Sequence, residues 1–143
     1  LRYFNVYGPG EDHKGTMASF VNQAFKSNLG GEPVWLFPGK PARDFVHVDD
    51  VCEANIHALL NYSTLNLAGH VFEVGSGVSN TFESALQAFG IAWQYKAPTD
   101  IPLGYQFHTQ AKPENFLPGW VPKIDFETGM YSYMKHLEEA NPN

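Results

Sequence analysis

The chain has 143 residues, 43% hydrophobic and 15% aromatic, with a formal net charge of −6 and one cysteine. That length supports one domain with its own core, and that composition argues against disorder. Nine thinly spread basic residues argue against a nucleic-acid partner, no apolar run approaches the ~20 residues of a membrane span, and the lone Cys52 rules out an internal disulfide and suits a cytoplasmic setting.

Leu1 to Tyr7 is apolar, aromatic and β-branched apart from Arg2 and Asn5, and reads as a buried strand. Gly8-Pro9-Gly10 stops it. A polar loop, Glu11 to Gly15, follows. Thr16 is placed to cap a helix through Met17, Phe20, Val21, Ala24 and Phe25, ending before Gly30-Gly31. Val34 to Phe37 predicts a short strand, closed by Pro38-Gly39-Lys40-Pro41. Phe45 to Val48 predicts another, after which Asp49 or Asp50 caps a helix carrying Val51, Ala54, Ile56, Ala58, Leu59 and Leu60. Val71 to Val74 predicts a third strand, ended by Gly75-Ser76-Gly77. Asn80 with Glu83 three residues later makes a capping box for a helix reaching Phe89. Ala92 to Tyr95 predicts a further strand. Residues 97–123 are proline-rich and irregular, and Asp125 caps a last helix with Phe126, Met130, Met134 and Leu137 along one face. Short strands alternating with helices predict an α/β fold, with residues 1–143 as one domain.

The strand–loop–helix at the start is the arrangement in which α/β proteins place chemistry, because a helix N-terminus offers free N–H groups to an anion. Lys14 in that loop can serve as an acid or base, or it is a solvated loop lysine. Asn5 interrupts an apolar strand, so its amide needs a partner: a neighbouring loop or a ligand. Thr16 reads as a helix cap. Arg43 has a planar fork that suits a diphosphate, or it pairs with Asp44, Asp49 or Asp50. Tyr105 reads as a loop aromatic. Gly75-Ser76-Gly77 lacks the third glycine of a dinucleotide loop and reads as a turn. Tyr131 and Lys135 have a Tyr-x-x-x-Lys spacing, read as a coincidence on a surface helix. The six histidines show no metal-ligand spacing, so no metal is expected.

Arg2-Tyr-Phe-Asn-Val-Tyr-Gly-Pro9, Arg43-Asp-Phe-Val-His-Val-Asp-Asp-Val51 and Phe72-Glu-Val-Gly-Ser-Gly77 resemble motifs of the extended short-chain dehydrogenases/reductases, the nucleotide-sugar epimerases and dehydratases. His13-Lys14-Gly15-Thr16-Met17-Ala18-Ser19 and Tyr105-Gln-Phe-His-Thr-Gln-Ala111 are similar to the ADP-glyceromanno-heptose 6-epimerase branch. The resemblance implies the C-terminal substrate-binding part of that fold, lacking most of the Rossmann domain, with residues 1–7 a strand of the missing cofactor sheet. It implies NADP (or NAD), held largely by the missing domain, and epimerisation of a nucleotide-diphosphate sugar, ADP-heptose foremost, at carbon 6. It makes Lys14 a catalytic acid/base that also touches the cofactor, with Val6 against the nicotinamide. It assigns Asn5, Thr16, Gln23, Arg43 and Tyr105 to substrate, and Phe37, Pro38, Gly39 and Lys40 to the loop that wraps the nucleotide. The second acid/base, a tyrosine, lies upstream in the family.

Three positions depart from the branch. Gly10 stands where it usually has arginine, Gln23 where it has histidine, and the Pro38 to Ala42 loop is two residues short. Because Leu1 opens within a strand, a larger upstream part is expected, and the chain alone is expected to be inactive. Apolar residues along Leu1 to Tyr7 are expected to drive homo-oligomer formation. The alternatives are a stand-alone nucleotide-sugar binding module, which would place no demand on Lys14, and another nucleotide-sugar epimerase or dehydratase.

Overall fold

The computed structural model describes residues 1–142. The elements in order are β1 (Arg2–Tyr3), β2 (Asn5–Tyr7), a 3-10 segment (Asp12–Met17), α1 (Phe20–Leu29), β3 (Val34–Leu36), β4 (Ala42–His47), α2 (Val48–Asn61), β5 (Glu73–Val74), β6 (Ser79–Thr81), α3 (Phe82–Ala88), β7 (Trp93–Tyr95) and α4 (Phe126–Ala140). The fold is α/β, as the alternation predicts. No helix is long and apolar enough to cross a membrane among the described residues.

The strands form three small sheets, and β4 is the central strand of the three-stranded one. β2 runs parallel to β4, with Asn5 opposite Phe45 and Tyr7 opposite His47. β6 pairs antiparallel with the start of β4, setting Asn80 opposite Arg43. β1 pairs with β5, and β3 with β7, both parallel. Side chains of a strand alternate between faces, so β4 feeds two cores. Phe45 packs into the core built with α1, α3 and α4, around Val21, Leu86, Met130 and Leu137. Val46 packs into the one beneath α2, around Val51, Ala54, Val74 and Trp120.

The opening segment differs from the predicted buried strand. It breaks at Phe4 because its two halves pair with different strands. Leu1 and Tyr3 are 43% and 47% exposed, whereas Tyr7, which reaches under α4, is 1% exposed.

Three helix starts also differ, because in each the last extended residue before the helix, the one able to cap it, is another one. Thr16 lies inside the 3-10 segment, and Ser19 (φ −57°, ψ 156°) caps α1 through Asn22 N–H. His47 Nδ1 takes the Asp49 N–H at 3.2 Å, so neither Asp49 nor Asp50 is the cap of α2. Asn80 is held in β6, and Thr81 Oγ1 takes the Ser84 N–H at 3.1 Å. Asp125 caps α4 as expected, accepting from Thr128 N–H at 2.8 Å.

Candidate active site

Buried carboxylates are spent on backbone. Asp44, at 0% exposure, accepts from Ser76 N–H (2.6 Å) and Oγ (2.8 Å) on one oxygen, and from Gly77 and Ala111 N–H (both 2.9 Å) on the other. Gly75 is required here, because a Cβ would lie 2.6 Å from that of Ala111 and 2.9 Å from Asp44 Oδ2. The Gly75-Ser76-Gly77 turn is therefore no phosphate loop: its amides already hold an anion. Asp50 accepts in the same way from Lys123 and Ile124 N–H, at 2.9 and 3.0 Å.

Asp44 and Asp50 are thus engaged elsewhere, Asp49 Oδ2 lies exposed 3.6 Å from His47 Nδ1, and among the described residues no carboxylate pairs with Arg43. Arg43 instead lies between aromatic faces, its Cζ 5.3 Å from the Phe82 ring centroid and 5.4 Å from that of Tyr105. Its Nη1 donates to Ala42 O at 2.9 Å. Tyr105 reaches this position because its loop pairs with the start of β4: Ala42 N–H donates to Phe107 O at 2.7 Å, and Thr109 N–H to Ala42 O at 3.2 Å. Phe37 meets Tyr105 edge-on at 5.0 Å. Lys96 Nζ lies 5.1 Å from the Phe37 centroid, placed there by the β3–β7 pairing and by Lys96 N–H donating to Leu36 O. Arg43, Phe37, Tyr105 and Lys96 form one half-open cluster, which we term the Arg43 pole. Pro38, Gly39 and Lys40 continue from Phe37, with Gly39 directly against Phe107.

Asn5, Val6 and Lys14 come together elsewhere. They line a cavity of about 280 Å³ with Glu11, Met17, Phe20 and Phe45. Lys14 is exposed at its mouth and Val6 is half-buried. Asn5 is exposed rather than buried, and its amide has no partner among the described residues. It also lines a larger cleft of about 1110 Å³, with Gln106 and the segment His108 to Asn115. The two groups are contiguous through aromatic rings. Phe82, which faces Arg43, is 4.5 Å from Phe20 and 5.9 Å from Phe45, both walls of the Lys14 cavity.

Thr16 and Gln23 line neither group. Gln23 Nε2 donates to Thr16 O (3.2 Å) and Ala18 O (2.7 Å), tying the 3-10 segment to α1. Tyr131 and Lys135 lie on the outer side of α4, the amine 5.8 Å from the ring and paired with Glu138 at 3.6 Å.

Sequence reasoning missed Phe82, Lys96, Glu11 and Tyr133. Burial pushes the Tyr133 hydroxyl well above the usual tyrosine range, and Glu11 adds to that shift. Tyr133 therefore stays protonated and donates to Glu11 at 2.7 Å. No signal in the sequence set these apart: Glu11 stands in a polar loop and Tyr133 in a mixed stretch of α4. Among the described residues no group of three or more His, Cys, Asp or Glu side chains is placed to hold a metal.

The NAD dependent epimerase/dehydratase family matches residues 1–75. The chain is 35% identical over 150 aligned positions to the ADP-L-glycero-D-manno-heptose-6-epimerase of Brachyspira hyodysenteriae, covering 98% of this chain and 46% of that protein. The Helicobacter pylori enzyme of the same name superimposes with a TM-score of 0.77 at 29% identity, over 96% of this chain and 43% of that one. The Thermus thermophilus UDP-glucose 4-epimerase, solved with NAD, gives 0.71 at 29% identity, over 99% and 46%. The chain thus spans under half the length of the proteins it matches. On these grounds, and with the same motifs carried on β2, β4 and the turn after β5, the chain belongs to the NAD dependent epimerase/dehydratase family.

Proposed function

We propose that this chain is the substrate-binding part of a nucleotide-sugar epimerase, an isomerase of the ADP-glyceromanno-heptose 6-epimerase type acting in the cytoplasm. The observation that carries this is the joining of two poles along β4: an Arg43–Tyr105–Phe37 cluster suited to a nucleotide diphosphate, and a Lys14–Asn5–Val6 cavity suited to a sugar and a nicotinamide. The 35% identity to a heptose epimerase favours ADP-heptose over other nucleotide sugars.

The residues present fit one end of a nicotinamide cofactor. Val6 offers a half-buried apolar wall beside an open cavity, with the Lys14 cation at its mouth. The rest of the dinucleotide, NADP or NAD, would be held by a cofactor domain outside residues 1–143, to whose sheet residues 1–7 would belong. When bound, the nicotinamide supplies a hydride acceptor and donor at carbon 6. Arg43 grips the diphosphate, as a planar fork does when no carboxylate competes. Phe37, Tyr105 and the Pro38–Lys40 loop cover the nucleotide. Asn5 bonds a sugar hydroxyl, and Lys14 moves the proton of the hydroxyl at carbon 6 from one face of the sugar. A second acid/base for the other face is outside this chain. Thr16 and Gln23 serve substrate indirectly, by holding the Lys14 segment to α1.

Calorimetry with ADP-heptose, UDP-glucose and a GDP-sugar tests the ligand class: saturable binding, tightest for ADP-heptose, is expected, and no binding of any of them would refute it. Incubation with ADP-heptose and NADP is expected to give no turnover, and epimerisation by the isolated chain would overturn the division of labour. The exposed Leu1 and Tyr3 make self-association the expected state, checked by light scattering across concentration.

A further inference from the structure

The cavity around Lys14 is walled chiefly by two segments, β2 and the loop Glu11–Ser19, joined by the turn at Gly8-Pro9-Gly10. Both are braced by one face of α4. Gly129 and Tyr133 are four residues apart, so they project from the same side of that helix. Gly129 receives the hydroxyl end of Tyr7, the last residue of β2, so closely that a Cβ there would collide with it. Tyr133 donates from its hydroxyl to Glu11 Oε1 at 2.7 Å and accepts from Asn22 Nδ2 at 2.8 Å. The other Glu11 oxygen accepts from Ser19 N–H at 2.6 Å, and Ser19 caps α1. Between Glu11 and Ser19 the chain makes a short bridge that carries Lys14, whose own N–H donates to Glu11 O at 3.0 Å. Glu11 and Tyr133 are 4% and 1% exposed, so water cannot substitute for either partner.

The geometry points to the Gly129–Tyr133 face of α4 as the positioning element of the acid/base site. It sets Lys14 against Asn5 and Val6 through Glu11 and Tyr7, without itself touching substrate. This rests on Lys14 being the acid/base. Neither Tyr133 nor Glu11 is a catalytic residue here. They fix where the amine sits, and thereby how much the sugar adds to binding beyond the nucleotide.

The variant that isolates this role is Tyr133→Phe, which keeps the ring in the core and removes one hydroxyl. Amide hydrogen exchange is expected to quicken roughly tenfold at Lys14, Ala18 and Ser19, the scale set by losing one buried hydrogen bond, with the β2–β4 ladder unchanged. Uniform quickening across the molecule, or none at those three amides, would overturn the proposal. Calorimetry gives a readout that a general loss of packing would not move. ADP, which needs only the Arg43 pole, is expected to bind Tyr133→Phe as it binds the unmodified chain, while the extra affinity of ADP-heptose over ADP is lost. In Lys14→Met, adding Tyr133→Phe is expected to change nothing further, and an undiminished effect of Tyr133→Phe there would show that it does not act through Lys14. If the unmodified chain bound neither ligand, the functional proposal would fall, and the exchange data would still decide the brace.

Discussion

The two faces of β4 handle charge in opposite ways. On one face Asp44 is fully buried and both its oxygens are saturated by N–H and O–H donors. On the other, one residue earlier, Arg43 is half-exposed, flanked by rings and unmatched by any carboxylate among the described residues. A charge that is saturated and dry holds a fold together. One that is left partly open beside flat aromatic rings is available to a ligand.

The sharpest way to break this contrast is to remove each charge in turn. Asp44→Ala leaves three backbone N–H groups without their acceptor, that of Ala111 buried and those of Ser76 and Gly77 half-buried, and is expected to cost about 3 kcal/mol in urea unfolding. Arg43→Ala is expected to cost no more than about 1 kcal/mol, the scale of a partly exposed cation–π contact. Equal costs would erase the distinction between the faces.

Next in size is the pH dependence of stability. Burial holds His47 below its ordinary 6.5, outweighing the nearby Asp49 and Asp50. The unfolded chain therefore binds more protons there, and stability is lost as pH falls below 6.5. Burial lifts Tyr7 and Tyr133 above their ordinary 10.0, with Asp50 and Asp125 adding to the first and Glu11 to the second. The unfolded chain loses those protons first, so stability is also lost as pH rises past 10.0. Thermal melts across pH are expected to show a plateau between these limits, and an optimum below it would contradict the burial of His47.

Smaller in stability but larger in binding is Arg43→Lys, expected to fold normally and bind ADP-sugars at least about tenfold more weakly, because an ammonium cannot present a bidentate fork. Smallest is Lys14→Met. Its side chain is exposed, so unfolding is expected to shift by less than about 0.5 kcal/mol, with ADP affinity unchanged.

Much of the fold was legible in the sequence because it rests on local signals. The α4 pattern of Phe126, Met130 and Leu137 and its Asp125 cap appear as expected. What was not legible depends on partners distant in sequence. Thr16, Asp49 and Asn80 all have cap chemistry, but the backbone at Ser19, His47 and Thr81 has the cap conformation, and tertiary pairing decides that. Asn80 is taken into β6 by a strand that begins at Ala42, three residues earlier than its apolar run suggests. At the site, Asn5, Val6 and Lys14 were nameable from motifs, as were Arg43, Phe37 and Tyr105. Lys96 and Phe82 were not, because each reaches the Arg43 pole only through pairing between remote strands.

The joining of the two poles is tested most directly by following the chain's NMR spectrum during titration with ADP-heptose. Signals of Asn5, Val6 and Lys14 are expected to move together with those of Arg43 and Tyr105, along one saturation curve with a single Kd. Movement confined to one pole, or two curves with different midpoints, would contradict a single nucleotide-sugar site along β4.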